Sequence, residues 1–525
     1  MTEKVKNILF IMMDQLRWDY LSCYGHPHLH TPNIDRIARE GMRFDNAYVQ
    51  SPVCGPSRAS FYTGRTVFSH GSTWNRVPLP IGEYTIGDYL RPHGMRCAVI
   101  GKTHLVPDPD LSGRYGVSPQ SEIGVVLAEP GFEPFDRDDG IHTDAMVRAK
   151  PGLRYNTWLN ELGYEGENPW QAYANSAEGE NGEILSGWSM RNARLPARIR
   201  EEHSESAYMT DRAIEFVRDS DETPWLLHLS YIKPHWPYMA PAPYHAMYGP
   251  DSFLPVVRSD EEKRDPHPVY GAFMEMEVST TFSRDEVREA VLPAYMGLIR
   301  QIDDHLGRLF ATLDAQGRME DTMIVVTSDH GDYLGDHWLG EKELFHDQSM
   351  RVPLIIRDPR AGAARNTACD AMVEAIDLLP TFLDACGIEA SRHRLEGHSL
   401  APLLTGETPH GWRDHAFSEI DYAFYQAGER LGVDVSSARA YTIRTARWKY
   451  VYFKGFRPQL FDLEADPNEY RDLGASPGHQ AVRDEMQAKL LERLTSRRNR
   501  VTLPDEAIPA MRPHRGTRGI EIGKW

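Results

Sequence analysis

The chain has 525 residues, 41% hydrophobic and 26% charged, which suits a globular protein with one large domain and one smaller domain. Its net charge of -18, with no compensating block of lysine and arginine, argues against nucleic acid or a membrane surface as a partner. The five cysteines form no CxxC pair, which argues against a disulfide framework or a cysteine-rich zinc site.

No pattern of a secretion signal or a membrane span is found along the chain. Residues 8–13 form an apolar run too short for a signal peptide, and Asp14 follows it without a cleavage site of small residues. No window approaches the ~20 apolar residues that a membrane-spanning helix needs. We therefore expect a protein of the cytoplasm with no membrane partner.

Short apolar runs alternate with helical patterns, which is typical of a mostly parallel sheet covered by helices on both faces. Thr31 and Pro32 predict the start of a helix and Gly41 its end, because a capping hydroxyl and a proline suit the first helical turn. The fold class is therefore α/β. The predicted buried strands are residues 7–13, 96–100, 225–231 and 323–328.

The longest predicted helix starts at a capping box formed by Ser283 and Glu286 and ends before Gly317. Apolar residues recur along it at helical spacing, which predicts one buried face. That face consists of Tyr295, Leu298, Ile302, Leu306, Leu309 and Leu313.

The sequence pattern changes at about Gly397. Strand-like residues 439–444 and 449–453 follow one another without long helices between them, which predicts a smaller antiparallel sheet. We expect a catalytic domain over residues 1–396, a small α+β domain over 397–502 and a carboxy-terminal arm over 503–525.

The arm is expected to make contacts in a homo-oligomer, a dimer or a tetramer, because its apolar side chains would be poorly placed in water. The alternative is an arm that folds back on its own domain or frays. The apolar side chains concerned are Ile508, Met511, Ile520, Ile522 and Trp525.

Polar side chains follow each of the four predicted strands. In open α/β sheets, ligands bind outside the carboxyl ends of the strands, so these side chains should meet at one rim. One strand that ends in a polar residue is ordinary turn chemistry, but four together predict a functional site. The four segments are Asp14-Gln15, Lys102-Thr103-His104, Lys233-Pro234-His235 and Asp329-His330-Gly331-Asp332.

Cys54 is predicted to lie at the start of a short helix. Pro56 and Ser57 suit a first helical turn, and Gly64 suits the helix end. The amino terminus of a helix favours bound anions through its free amides and its dipole. A buried cysteine beside a capped helix is the alternative on position alone.

The residues from Cys54 to Arg58 resemble the C-x-P-S-R signature of the sulfatase family, and Thr63-Gly64-Arg65 resembles its auxiliary part. Further segments resemble the same family in the same order, over nearly the whole chain. These segments are Thr31-Pro32-Asn33-Ile34-Asp35, Gly101-Lys102-Thr103-His104, Ser328-Asp329-His330-Gly331, and the pattern from Leu460 to Glu469.

The resemblance is strongest to the branch of bacterial arylsulfatases and phosphonate monoester hydrolases. Asp14-Gln15 and Asp329-His330 stand where many sulfatases have Asp-Asp and Asp-Asn, and the segment from Pro234 to Tyr248 is also similar to that branch. The resemblance implies an alkaline-phosphatase-like fold, a large, mostly parallel sheet sandwiched by helices, with a smaller carboxy-terminal antiparallel sheet. It also implies one divalent metal ion, Ca²⁺ or Mn²⁺.

The same resemblance implies that a formylglycine-generating maturation enzyme oxidises Cys54 to formylglycine, whose hydrate attacks sulfur or phosphorus. Arg58 would steady the hydrate, and Asn75 would contact the hydrate or the substrate. Oxygen-rich ligands and a single imidazole suit Ca²⁺ or Mn²⁺ better than a zinc cluster. The implied metal ligands are Asp14, Gln15, Cys54, Asp329 and His330.

Four further side chains are expected to act on the substrate itself. Lys102 and Lys342 would place positive charge on its non-bridging oxygens. His235 would also bind the substrate and protonate the leaving oxygen, and His104 would act as the base that releases the product. The substrate would be a small anionic ester.

Three activities remain open on the sequence. The pair Lys102 and His104 favours an arylsulfatase, since the phosphonate hydrolases of this branch tend to carry uncharged hydroxyl residues there. A phosphonate monoester hydrolase or phosphodiesterase with the same machinery is the alternative. A two-zinc phosphatase or phosphomutase would need Asp332 and His337 as additional ligands, and the context of Cys54 argues against it. A non-catalytic binding module is disfavoured because no essential polar group is missing.

Overall fold

The computed structural model describes residues 4–150 and 152–511. The fold within this part of the chain is mixed α/β and resembles that of alkaline phosphatase, as the sequence predicted. Its strands are β1 Asn7–Met13, β2 Met42–Tyr48, β3 Arg96–Gly101, β4 Glu133–Arg137, β5 Ser176–Glu178, β6 Ile184–Ser186, β7 Trp225–Tyr231, β8 Thr322–Thr327, β9 Leu354–Arg357, β10 Thr367–Glu374, β11 His415–Asp421, β12 Arg439–Thr445, β13 Trp448–Phe453 and β14 Gln459–Asp462.

The α-helices range from one turn to the long α12. Their bounds are α1 Pro32–Glu40, α2 Cys54–Thr63, α3 Val67–His70, α4 Ile86–Leu90, α5 Asp110–Gly113, α6 Glu122–Ala128, α7 Asp144–Ala149, α8 Arg154–Glu161, α9 Glu205–Asp219, α10 Pro268–Met274, α11 Glu277–Phe282, α12 Asp285–Ala315, α13 Asp347–Met350, α14 Leu378–Ala385, α15 Ala401–Leu404, α16 Gln426–Arg430, α17 Gln480–Thr495 and α18 Ile508–Met511.

Eight strands form the main sheet, in the order β10-β2-β9-β8-β1-β7-β3-β4. All are parallel except β9, which runs antiparallel to both of its neighbours. Strand β1 lies in the middle and is buried throughout, because helices cover both faces of the sheet. Its alternate side chains enter two separate cores. Ile8, Phe10 and Met12 pack on the side of α2 and α14, and the intervening residues pack on the side of α9 and α12.

Helix α12 differs from the prediction at its start. The predicted apolar face is buried as expected, but the capping box of Ser283 and Glu286 is wrong. The helix begins at Asp285 after Arg284 and has no side-chain cap. The hydroxyl of Ser283 instead donates to the carbonyl of Ser279 at 2.8 Å, because the preceding helix α11 offers that acceptor one turn earlier.

The carboxy-terminal part contains the predicted antiparallel sheet, in the order β11-β12-β13-β14, with α17 packed against it. Lys449 of β13 ties this sheet to the larger part of the fold. Its ammonium lies 2.8 Å from a carboxylate oxygen of Glu469 and 2.9 Å from one of Asp347. The predicted domain limits at residues 396 and 502 stay predictions.

The predicted arm is described only as far as Met511, which is 66% exposed. The apolar residues Ile520, Ile522 and Trp525 lie outside the described residues. No helix among the described residues has the length and apolar character to cross a bilayer. All five cysteines are free.

Candidate active site

The four polar segments predicted to share a rim follow strands β8, β1, β7 and β3, which are neighbours in the sheet. These strands run parallel, so their carboxyl ends meet along one edge. Asp14, Lys102, His235 and Asp329 are all at least 94% buried there. The position of this group is therefore fixed by the order of the strands.

Cys54 is the first residue of α2 and is 1% exposed. Its Sγ lies 3.0 Å from Nε2 of His330 and 4.0 Å from Oδ1 of Asp14. The backbone N–H of Gly55 donates to Oδ1 of Asn75 at 2.7 Å, so the first turn of the helix is held by a residue of the following loop. Asn75 thereby positions the main chain beside Cys54.

Four side chains form a group with metal-ligand chemistry. One ligand atom from each of Asp14, Cys54, Asp329 and His330 lies within 4.8 Å of the others, and all four residues are buried. Two carboxylates, one imidazole and the group at position 54 form a mainly hard ligand set once that group supplies oxygen, which suits Ca²⁺ or Mn²⁺. These residues therefore fit a single divalent ion.

Gln15, the fifth predicted ligand, makes other contacts. Its Oε1 accepts from Nζ of Lys342 at 2.8 Å, and its amide nitrogen contacts a carboxylate oxygen of Asp332. Its backbone N–H donates to Oδ1 of Asp329 at 3.1 Å. Gln15 thus lies beside the four-residue group and links it to Lys342.

Arg58 is fully buried and neutralises both carboxylates. It donates to Oδ2 of Asp329 at 2.8 Å and to Oδ2 of Asp14 at 3.1 Å. Its remaining donors reach the carbonyl of Lys102 and the hydroxyl of Ser230, each at 2.7 Å. Arg58 therefore crosslinks the ends of four strands and stays charged, because the two carboxylates outweigh the burial that opposes its charge and raise its pKa.

Lys102 and Lys342 are two buried cations beside the group. Nζ of Lys102 is 2.5 Å from Oδ2 of Asp14. Burial opposes ionisation of Asp14, but the positive charges of Lys102 and Arg58 outweigh it and hold the pKa of that carboxyl well below its usual range. Burial also opposes the charge of Lys342, yet Cys54 and nearby carboxylates raise its pKa above the ordinary value.

The two predicted catalytic histidines both have lowered pKa values, through different contacts. Nδ1 of His235 donates to the carbonyl of Trp236 at 2.6 Å, and Nε2 accepts from Lys342 at 3.2 Å. Burial and the Lys342 charge hold the pKa of His235 well below its usual range. Burial and Lys102 also lower the pKa of His104, against a hydrogen bond with Cys54 that raises it. Both imidazoles are therefore neutral at pH 7.

Several residues of the site were not found from the sequence. Asp139 accepts the backbone N–H of His104 at 3.0 Å, and Tyr238 donates to Asp332 at 2.9 Å. Trp74, next to Asn75, stacks on Phe424 with ring centroids 5.1 Å apart and packs edge-on against Tyr425 at 4.6 Å. We call Trp74, Phe424 and Tyr425 the aromatic group. Its two members from the carboxy-terminal part carry no motif that would place them here.

The additional ligands of a two-zinc enzyme are engaged elsewhere. Asp332 accepts from Gln15, from Tyr238 and from the backbone of Leu334. Nδ1 of His337 donates to Oε1 of Glu262 at 2.7 Å. Neither residue belongs to the metal-ligand group of Cys54.

Comparison with known proteins shows to which protein family the chain belongs. The sulfatase family model matches residues 6–388, and the model of the carboxy-terminal region of N-sulphoglucosamine sulphohydrolase matches residues 335–496. The chain therefore belongs to the sulfatase family, within the alkaline phosphatase superfamily, and is a hydrolase. This confirms the resemblance found in the sequence.

Individual relatives include both kinds of enzyme expected. The chain is 34% identical to the multifunctional alkaline phosphatase superfamily protein PehA of Trinickia caryophylli, over 93% of this chain and 95% of that protein. It is 28% identical to an arylsulfatase of Clostridium perfringens, over 94% and 95% of the two chains. The structure of phosphonate monoester hydrolase SpPMH from Silicibacter pomeroyi superposes with a TM-score of 0.82 at 29% identity, over 95% and 97% of the two chains.

Proposed function

We propose that this protein hydrolyses sulfate esters, aryl sulfates in particular, with Cys54 converted to formylglycine. The observation that carries the proposal is the position of Cys54. It begins a buried helix and faces Asp14, Asp329 and His330 on one side, with the two lysines of the rim nearby. A buried cysteine with only a structural role would not require these charged side chains around it.

Asp14, Gln15, Asp329 and His330, together with the oxygen at position 54, would hold one Ca²⁺ or Mn²⁺ ion. Bound there, the ion would supply Lewis acidity and lower the pKa of a hydroxyl group. Gln15 would contribute through Oε1, which at present accepts from Lys342. Arg58 keeps both carboxylates ionised and oriented for this purpose.

Conversion of Cys54 must precede the end of folding. Cys54, Pro56, Ser57 and Arg58 are all buried in α2, so no enzyme can read this segment in the folded chain. The maturation enzyme would therefore bind the segment while it is extended. Arg58 and Asn75 then hold the modified residue, one through the carboxylates and the other through the backbone of Gly55.

Lys102 and Lys342 would bind the anionic end of the substrate. Lys102 pairs with Asp14, and Lys342 donates to Gln15 and to Nε2 of His235. Their remaining N–H groups are available for non-bridging oxygens, where negative charge is held in the transition state. An anion placed between them replaces the solvent that screens their mutual repulsion.

The two histidines would move protons in opposite directions. His104 is neutral and follows β3 at the same edge of the sheet as Cys54, so it suits the base that removes a proton there. His235 must first gain a proton at Nε2, the atom that accepts from Lys342. The negative charge of a bound substrate favours that protonation, and His235 would then donate to the leaving oxygen.

The aromatic group supports an aryl leaving group. Trp74 is attached to Asn75, which contacts the residue after Cys54, so the group stands at the mouth of the site. Phe424 is 51% exposed and leaves one edge of the stack open to a planar ligand. Offset stacking on such a surface favours aromatic over aliphatic esters by about 0.5–1.5 kcal/mol.

Hydrolysis of phosphonate monoesters and phosphodiesters on the same site is the second candidate. The similarity to SpPMH favours it. Phosphonate monoesters and sulfate monoesters are both tetrahedral monoanions, so the same lysines suit both. Lys102 and His104 favour the sulfate ester. Lys102 places a positive charge beside Asp14, and His104 adds an imidazole near Cys54.

Parallel kinetics on an aryl sulfate and the matching aryl phenylphosphonate would test the proposal. We expect both to be hydrolysed, with the higher kcat/KM for the sulfate. The matched control is Cys54→Ser, which keeps the helix start but cannot form the aldehyde. Turnover of neither ester by metal-loaded, converted protein would overturn the proposal, and a higher kcat/KM for the phosphonate would favour the second candidate.

A further inference from the structure

A second group of metal-ligating side chains lies outside the residues used above. It consists of Asp138, His142 and Glu205, and one ligand atom from each lies within 4.8 Å of the others. Asp138 follows β4, so it lies at the same carboxyl edge of the sheet as the active site. Helix α9 returns into β7, which brings its first residue, Glu205, to that edge too.

The hydrogen bonds within this group balance only part of the negative charge of its two carboxylates. Nε2 of His142 lies 2.6 Å from Oδ1 of Asp138, which also accepts the backbone N–H of Gly140 at 2.8 Å. The side-chain amide of Asn168 donates to the backbone carbonyl of His142 at 2.7 Å, which fixes the main chain that carries the imidazole. Asp138 and His142 are therefore held side by side, and to share one ion their ligand atoms would have to separate to about 3.3 Å, the spacing of two ligands on a tetrahedral zinc ion.

Glu205 makes no hydrogen bond of normal geometry among the described residues. It is 6% exposed, and its Oε1 has no donor at hydrogen-bond geometry in this part of the chain. The indole N–H of Trp170, which lies against His142, is near enough to lower the pKa of Glu205 but is itself without an acceptor at normal hydrogen-bond geometry. A buried carboxylate that lacks donors is costly, because water no longer solvates its charge.

Lys233 is a counter-charge to Glu205 but does not pair with it. Its ammonium donates to the carbonyls of Pro237 at 2.8 Å and His235 at 3.3 Å, and it makes no ion pair within 4.0 Å of Glu205. Its charge still lowers the pKa of Glu205, against the burial that raises it most. The alternative explanation is that Lys233 and a protonated His142, whose pKa Asp138 raises against burial, together keep Glu205 ionised without a metal.

We propose that Asp138, His142 and Glu205 bind a divalent cation distinct from the active-site metal, with Zn²⁺ as the preferred ion. Two carboxylates and one imidazole, with solvent in the remaining position, form a common three-ligand zinc set. The ion takes the place of the proton between His142 and Asp138, so binding one Zn²⁺ releases a proton whenever that pair is protonated. The ion also gives Glu205 the partner that it lacks.

The second cation has a defined structural role. Asp139, between two of the ligands in sequence, accepts the backbone N–H of His104 at 3.0 Å. Fixing Asp138 and His142 on one ion fixes Asp139 as well. The second site therefore positions His104, although none of its ligands contacts the reacting group.

Metal content is the direct test. Full-length protein would be dialysed against chelator, incubated separately with ZnCl₂ and CaCl₂, desalted and measured by inductively coupled plasma mass spectrometry. We expect Glu205→Gln to lose one zinc equivalent relative to the wild type and to keep its calcium, and Asp329→Asn to keep that zinc equivalent and lose calcium. Glu202→Gln is the matched control, since Glu202 is half exposed and pairs with Arg200 on the surface.

Thermal unfolding gives a second readout that does not depend on activity. Zn²⁺ should raise the Tm of wild type and of Glu202→Gln by more than that of Glu205→Gln. Without metal, Glu205→Gln should unfold no lower than wild type, because it removes an unpaired charge. His142→Gln should reproduce the zinc loss.

Equal zinc content in wild type, Glu205→Gln and His142→Gln would overturn the second site. The second site would also be overturned if the single substitution Asp329→Asn removed all bound zinc. The result is independent of the proposed sulfatase activity, because zinc uptake by this group does not need Cys54 to be converted.

Discussion

Two groups of buried ligands lie at the same edge of the same sheet, and the protein balances their charge in different ways. At the Cys54 group, Arg58 and Lys102 pair directly with both carboxylates. At the Asp138 group, Glu205 has no direct partner. The chain's own cations hold the first group in place, and we propose that an added cation completes the second.

Asp329→Asn should have the largest effect and gives the sharpest contrast with Glu205→Gln. It removes a metal-ligand charge and a partner of Arg58, so kcat/KM for an aryl sulfate should fall by about 10³-fold, or ~4 kcal/mol of transition-state stabilisation. Glu205→Gln should cost less than about tenfold, since it acts on His104 only through Asp139. Circular dichroism would check that both variants fold. Equal losses would show that the two groups do not differ in role.

The double variant Lys102→Tyr, His104→Thr should disturb the charge balance of the Cys54 group and leave that of the Asp138 group unchanged. Asp14 would lose its closest cation, and a proton acceptor beside Cys54 would be lost. We expect kcat/KM for an aryl sulfate to fall by about 10²-fold and for an aryl phosphonate by about tenfold. Steady-state kinetics on both esters would measure this, and equal losses would show that the pair does not set the preference.

Much of this arrangement follows from local sequence. Strand β1 has the predicted bounds because an uninterrupted apolar run ends at Asp14, and β7 has them for the same reason. The predicted strand at residues 323–328 occurs one residue earlier, as β8. Because the carboxyl ends of parallel strands meet at one edge, the residues after these strands could be placed together from the sequence alone.

The rest depends on contacts between distant segments. Ser283 fits a capping pattern, yet a competing acceptor on the preceding helix takes its hydroxyl. Asn75 reaches Gly55 across a loop, and no spacing signals that contact. Glu205 looks like an ordinary acidic residue in the first turn of a helix. Only the packing of α9 against the sheet shows that its carboxylate is buried and unpaired.

Trp74→Ala should have a moderate effect restricted to the leaving group. It removes the middle ring of the aromatic group, so KM for an aryl sulfate should rise by about 3- to 10-fold with little change in kcat. An alkyl sulfate should show no such change. The matched control is Trp448→Ala on the carboxy-terminal sheet. A fall in kcat without a change in KM would place Trp74 in the chemistry and not in leaving-group binding.

Deletion from residue 503 onward should have the smallest effect on both ligand groups. The arm stays predicted to contact another subunit, because its apolar side chains would be poorly placed in water. Light scattering should show a smaller oligomer, while the metal content of both groups stays unchanged. An unchanged mass would contradict the predicted role of the arm.

The central claim is that Cys54 becomes the nucleophile only after conversion. Mass spectrometry of the peptide that contains Cys54, from protein produced with a maturation enzyme and assayed in parallel, tests it most directly. We expect the active fraction to carry formylglycine, in which oxygen replaces sulfur and two hydrogens are lost, and activity to scale with its share. Full activity in protein that carries only unmodified cysteine at this position would contradict the account.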